Sequence, residues 1–270
     1  MNAPAKNPPL TLEHHRKNLV KLLQAASRRH HLWEVFGDFV EMAAIAMANS
    51  VDLLQRTRRE ERYLALIRRY EPTEQKLFPQ MLAELTLALE FGPDDVLGKV
   101  FGELELGNAA RGQFFTPYCV CTLMARQQVG NGDDLRRLVA EKGFVTVCEP
   151  AAGAGAMVIA IAEAMQSQGV NYQVELHVTA QDIDARAVHM SYLQLSLLHI
   201  PAMVVLGNTL LAEEREHWYT PAHILGLWSA KLKRGYTVGS ASDHQGKSLA
   251  EDSITTPPLS PAPLAQMLLF

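Results

Sequence analysis

No stretch of this 270-residue chain is apolar for the roughly 20 residues that a membrane-crossing helix requires, so no membrane association is expected. Cysteine is scarce, with only three in the chain: Cys119, Cys121 and Cys148. All three stand in apolar contexts and read as small core residues of a reducing compartment. Cys119-x-Cys121 lacks the second pair that would complete a zinc site, and no metal site is expected. The opening residues Met1-Asn2-Ala3-Pro4-Ala5-Lys6 have no apolar secretion-signal core, which together with the cysteines points to the cytoplasm. Basic charge is not in excess either: 25 Lys and Arg face 29 Asp and Glu, a formal net charge of −4. Any nucleic-acid contact must therefore come from a local patch. No internal repeat is evident.

What the chain does have is periodicity. Residues 1–10 read as a disordered tail, and residues 11–106 as a helical domain. Phe36, Phe39, Val40 and Ala43, and again Leu82, Leu85, Leu87 and Leu89, recur at helical spacing. Gly92-Pro93-Asp94-Asp95 is a break that supplies a cap for the next helix. Three strand-like runs follow, at 144–148, 174–180 and 203–206, with helices between them. In the second, Glu175, His177 and Thr179 alternate with apolar residues, which predicts a partly polar face. This βαβαβ order predicts an α/β fold with a parallel sheet over residues 107–235. Residues 236–270 read as a disordered tail, since they are rich in Gly, Ser, Thr and Pro up to the closing Gln266-Met267-Leu268-Leu269-Phe270.

The chemistry concentrates around the first strand. It ends in Glu149-Pro150-Ala151-Ala152-Gly153-Ala154-Gly155, and a helix opens at Ala156. A strand, a glycine loop and a helix N-terminus let backbone approach a ligand closely. The dinucleotide fingerprint would need Gly or Ala where Val158 stands. Upstream lies Gly112-Gln113-Phe114-Phe115-Thr116-Pro117, in which Thr116 and Pro117 look like the cap and first residue of a helix. The second strand runs into Gln181-Asp182-Ile183-Asp184, and the third into Gly207-Asn208. The bland alternatives are a strand-end surface charge for Glu149 and helix capping for Asp182 or Asp184.

Together the two motifs resemble the N6-adenine DNA methyltransferases, most closely the modification subunit of type I restriction systems. The resemblance covers about residues 94–211. It implies a partial Rossmann-like class I methyltransferase domain that binds S-adenosylmethionine, with DNA as substrate. Gln113, Phe114, Phe115, Thr116 and Pro117 would hold the cofactor with the loop residues Pro150, Ala151, Gly153 and Gly155. Glu149 would lie near its methionine end. Asp182 would accept the ribose hydroxyls, Ile183 would pack on adenine, and Asn208 would reach the adenine amine.

The family's Asn/Asp-Pro-Pro-aromatic motif, which grips the target adenine, is not found after the third strand. Residues 211–218 look polar and helix-like, and Thr220-Pro221 opens a last helix through Trp228 to Lys233, with Trp218, Tyr219 and Trp228 as core anchors. Asn7-Pro8-Pro9-Leu10 and Thr256-Pro257-Pro258-Leu259 lack the aromatic and a preceding strand. No catalytic residue is therefore assigned. A second methyltransferase or specificity subunit could supply the missing part, or the chain could be a non-catalytic regulatory or interaction protein. By family strand order, the free edge of the first strand must be covered by the last helix or by a partner. Arg56, Arg58, Arg59, Arg62, Arg68 and Arg69 form either a solvated helix face or a phosphate-contacting stripe. The closing peptide resembles the motif by which bacterial replication and repair proteins engage the sliding clamp, with Gln266, Leu269 and Phe270 as its contacts.

Overall fold

The computed structural model describes residues 10–107 and 115–243, together with the backbone of residues 266–268. Helices α1 (Leu12–Ala26), α2 (Leu32–Asn49), α3 (Arg56–Ile67), α4 (Pro72–Gln75), α5 (Leu77–Leu89) and α6 (Val96–Glu103) come first. Then α7 (Tyr118–Val129) and α8 (Asp133–Lys142) lead into β1 (Val145–Glu149). After it come α9 (Ala156–Ser167), α10 (Tyr172–Glu175), β2 (Leu176–Asp182), α11 (Ala185–Leu197), β3 (Ala202–Asn208) and β4 (Glu213–Tyr219). The last elements are α12 (Pro221–Leu225), α13 (Trp228–Arg234) and β5 (Gln266–Leu268).

The helical periodicity holds where it was read. Phe36, Phe39, Val40 and Ala43 are buried on α2, and Leu85 and Leu89 on α5, whereas Leu87 is exposed. Asp95 caps α6 as expected, accepting from Gly98 N at 2.9 Å. The core is one continuous cluster, running from Leu19 and Phe36 through Val147 and Ile159 to Val204 and Trp218.

The expected α/β architecture with a parallel sheet is present. Strand order is β4-β3-β2-β1-β5, with β1 parallel to β2 and to β5, and β2 parallel to β3. β4 lies antiparallel to β3. Several local expectations need correction. β2 starts later than residue 174, because residues 172–175 form α10. His177 is not on a polar face: it is buried, and its Nε2 lies 2.8 Å from His223 Nδ1 beneath Trp228. The segment read as helix-like after Leu211 is the strand β4, in which Trp218 is buried while Glu213, Glu214 and Arg215 are exposed. Thr220 does cap the next helix, accepting from His223 N, but that helix breaks at Gly226 and Leu227 before α13 resumes. Trp218 and Trp228 are core anchors as expected, each 1% exposed. Cys121 is buried, but Cys119 is exposed.

Of the arginine stripe, Arg56, Arg58, Arg68 and Arg69 are exposed, as a solvated helix face requires, whereas Arg62 is partly buried and Arg59 buried. Arg59 pairs with Asp52 at 2.7 Å and its guanidinium lies 4.4 Å above the Trp218 ring. Arg62 bridges Glu41 and Glu216, Arg69 pairs with Asp38 at 2.9 Å, and Arg58 reaches Glu216 at 3.5 Å. These charges dock α3 on α2 and β4. Residues 236–243, read as the start of the disordered tail, are ordered. Thr237 N donates to Lys142 O at 2.8 Å, and Ser240 and Asp243 are buried. The tail also contributes β5, which covers the outer edge of β1 with Gln266 opposite Thr146 and Leu268 opposite Cys148. The edge needed a cover; it comes from the chain's own C-terminal segment rather than from α13. Residues 1–9, 108–114, 244–265 and 269–270 lie outside the described residues.

Candidate functional site

Three parallel strands end side by side, and each ends in a polar residue: Glu149 on β1, Asp182 on β2 and Asn208 on β3. Parallel ladders slant their bonds and leave the carboxyl ends of the strands open to a ligand. The loop after β1 is sewn to both neighbours. Ala152 N donates to Gln181 O at 2.9 Å, and Thr209 Oγ1 donates to Pro150 O at 2.7 Å.

The glycines are required by geometry. Gly153 has φ +54 and Gly155 φ +92, both in the left-handed region that side-chain-bearing residues avoid. A Cβ on Gly153 would stand 2.9 Å from Phe115 Cδ1. The loop and the Phe-Thr-Pro segment are therefore in direct contact, although 38 positions separate Gly153 from Phe115 in the chain. Phe115 in turn packs on Phe101 with ring centroids 4.9 Å apart. It also lines, with Thr116, Pro117, Lys99 and Tyr118, a cavity of about 1080 Å³ that does not reach Glu149 or Asp182. Helix α7 begins one residue later than expected. Pro117 is its cap, and Pro117 O accepts from Val120 N and Cys121 N. Gln113 and Phe114 lie outside the described residues.

Asp182 does more than end a strand. Its Oδ2 accepts from Gly153 N at 2.8 Å, and its Oδ1 accepts from Asp184 N at 2.9 Å. It holds the glycine loop against β2 while each oxygen keeps acceptor capacity. Asp184, not Asp182, caps α11, accepting from Arg186 N. Glu149 is 7% exposed, and its Oε1 accepts from Ala151 N at 3.0 Å. Burial pushes the Glu149 carboxyl upward, and the nearby Asp182 charge adds to the shift. Burial likewise raises Asp182, against the backbone bonds from Asp184 and Gly153 that favour its ionised form. Neither carboxylate has a cationic partner among the described residues. Ile183 is 58% exposed beside them, an apolar side chain left at the mouth of the site. Asn208 Oδ1 is already engaged, accepting from Leu210 N at 3.1 Å and Leu211 N at 3.3 Å.

One residue behind the site was missed. Gln194, fully buried on α11, accepts from Leu97 N at 2.8 Å and donates to Asp95 Oδ1 at 2.9 Å and Ala154 O at 2.8 Å. A single amide thus ties the start of α6 to the glycine loop. Its sequence signal was a glutamine in a helix rich in apolar residues, which predicts burial with partners but does not name them. No cluster of metal-ligating side chains occurs among the described residues.

The N-6 DNA methylase family matches residues 94–227, which bears out the resemblance carried by the two motifs. No curated protein matches the chain. Among solved structures, a protein described as a class I S-adenosylmethionine-dependent methyltransferase from Listeria monocytogenes is 14% identical. That match covers 84% of this chain and 72% of the other, with a TM-score of 0.41. The methyltransferase subunit of a type I restriction-modification system from Streptococcus thermophilus is also 14% identical, over 75% of this chain and 59% of its own, with a TM-score of 0.38.

Proposed function

Starting from a region matched by the N-6 DNA methylase family, we propose that the chain binds S-adenosylmethionine at the ends of β1, β2 and β3 and serves adenine methylation in DNA. One observation carries this reading. Two largely buried carboxylates, Glu149 and Asp182, converge beside a glycine loop without a cation among the described residues to balance them. Burying unpaired charge is costly, so the site suits a ligand that brings positive charge and hydroxyl donors. S-adenosylmethionine has both, in its sulfonium and ammonium groups and its ribose. When bound, it supplies an electrophilic methyl group.

The chain's residues divide the work of holding it. The second lone pairs of Asp182 accept the ribose hydroxyls, while its first hold the loop in place. Glu149 faces the cationic methionine end, with Gly153, Gly155, Pro150 and Ala151 keeping the backbone close. Ile183 covers one face of adenine. Because Asn208 Oδ1 is committed to the turn after β3, its Nδ2 is the group left for adenine, and it donates to ring nitrogen rather than accepting from the amine. Phe115 stands against Gly153, and Gln113, Phe114, Thr116 and Pro117 are proposed to hold the cofactor with it.

The grip on the target adenine is assigned to a partner chain, a second methyltransferase or a specificity subunit. In this sequence β3 leads into a turn and the antiparallel β4, with no Asn/Asp-Pro-Pro-aromatic element. A second reading, a non-catalytic regulator of DNA modification, is favoured by the closed edge of β1, where a further parallel strand of the family's catalytic half would pair. The C-terminal Gln266, Leu269 and Phe270 are proposed to engage the sliding clamp. Calorimetric titration with S-adenosylmethionine tests the cofactor site. Transfer of radiolabel to DNA, with and without an added methyltransferase subunit, separates the two readings.

A further inference from the structure

We propose that the outer edge of β1 is a strand-accepting interface, and that Gln266–Leu268 is its exchangeable occupant: whatever takes hold of the C-terminal peptide uncovers the edge, and whatever supplies a parallel strand frees the peptide. The pairing in the sheet carries this. β1 is matched to β2 over five positions, Val145 to Glu149, but to β5 over three, Thr146 to Cys148. β2 and β3 share five pairs, and β3 and β4 six. Among the described residues the β1–β5 ladder is the shortest in the sheet, and it is made by the last strand of the chain.

Its occupant also stands far along the chain from the strand it joins. Twenty-two residues, 244–265, separate Asp243 from Gln266, and Pro257, Pro258, Pro261 and Pro263 fall among them. A long connection closes a strand pair at an entropic cost that a short hairpin avoids. Backbone pairing needs no particular side chains, so any extended segment of suitable length can replace β5. The three backbone units of β5 cannot lie in a sheet and in another protein's groove at once. Binding of the C-terminal peptide elsewhere is then reduced by the fraction of chains in which it is docked. β5 ends level with Cys148, one residue short of Glu149, so the occupant of the edge borders the strand end that carries the candidate site. The inference does not depend on what that site binds.

Hydrogen exchange resolved along β1 tests it without cofactor or DNA. Successive strand amides face opposite neighbours, so alternate amides of Val145–Glu149 point toward β5. In a chain stopped at Leu264 these should exchange at least tenfold faster than in the full chain, while those facing β2 are unchanged. Of the variants Met267→Pro and Leu268→Pro, one should match the stopped chain, because one of the two removes a bonded N–H. A labelled peptide of residues 260–270 should bind the stopped chain at least tenfold more tightly than the full chain, and restore protection. Equal exchange in full and stopped chains, or equal peptide binding to both, would overturn the proposal. Protection that appears only at concentrations where the full chain dimerises would also overturn it as stated, since the tail would then seat on a second copy.

Discussion

Replacing Asp182 with alanine separates two jobs that one carboxylate performs. In the folded chain its oxygens accept from Gly153 N and Asp184 N at 2.8 and 2.9 Å. Hydrogen bonds to a charged group contribute roughly 1.5–3 kcal/mol each, so their gross loss is roughly 3–6 kcal/mol. Against this stands the release of a carboxylate whose burial is unfavourable and whose charge pushes Glu149 upward. The net loss of stability should be about 1–3 kcal/mol, or several degrees in Tm for a chain of this size. Cofactor binding should suffer separately. Losing the ribose acceptors costs at least one charge-assisted bond, and affinity should fall at least about tenfold.

Calorimetry with S-adenosylmethionine and with an analogue lacking the ribose hydroxyls tells the two apart. If Asp182 clamps the ribose, wild type should prefer the natural cofactor at least tenfold and the Asp182→Ala variant should show almost no preference, because the partner of the hydroxyls is gone. If the variant keeps the full preference, or binds as tightly as wild type while its Tm falls, Asp182 serves only the loop. The ribose assignment would then be wrong.

The isolated chain should transfer no methyl label to duplex DNA, whereas adding a methyltransferase partner should produce incorporation; label transferred by the pure chain alone would refute the partner reading. Cofactor affinity should weaken as pH falls through the raised pKa values of Glu149 and Asp182, since the cationic ligand favours their ionised forms, and a flat calorimetric profile would contradict this. Burial holds the buried imidazole of His189 down to about 3 from an ordinary value near 6.5. The unfolded chain therefore takes up a proton that the folded one refuses, and stability is lost as pH falls below about 6.5. Between pH 7.5 and 5.5, wild type should lose about 1.4 kcal/mol more in denaturant unfolding than His189→Gln, and equal losses would show that the imidazole charges in place. Full-length protein should be recovered on immobilised sliding clamp and a chain stopped at Leu264 should not; equal recovery of both, or of neither, would leave the tail without that role.

How far the sequence could be read depended on how local each cause was. The glycine loop was legible because its causes lie within a few residues: a β-rich run, an acidic stop, and two positions that need positive φ, all of which Gly153 and Gly155 satisfy. Asp95 as a cap was legible for the same reason. β4 was not. Its seven residues, Glu213–Tyr219, bury only Trp218, and its partly buried Glu216 is matched by Arg58 and Arg62, more than 150 positions away. With its apolar signal reduced to one side chain and its charges answered from α3, neither a two-residue nor a 3.6-residue period shows. Within the arginine stripe the burial of Arg59 and Arg62 was hidden in the complementary way, since the carboxylates that pair with them stand on α2, β4 and the turn before α3. Gln194 is similar: its partners Leu97, Asp95 and Ala154 are 97, 99 and 40 positions away. The edge of β1 was a mixed case. That it needed a cover followed from the chemistry of unpaired strand groups alone. What covers it did not follow, because a backbone ladder is blind to side chains, and Gln266-Met267-Leu268 advertised itself by composition as a peptide for another protein. Sequence reveals such a segment's side-chain preferences, whereas its pairing in the sheet is settled by which edge has been left open.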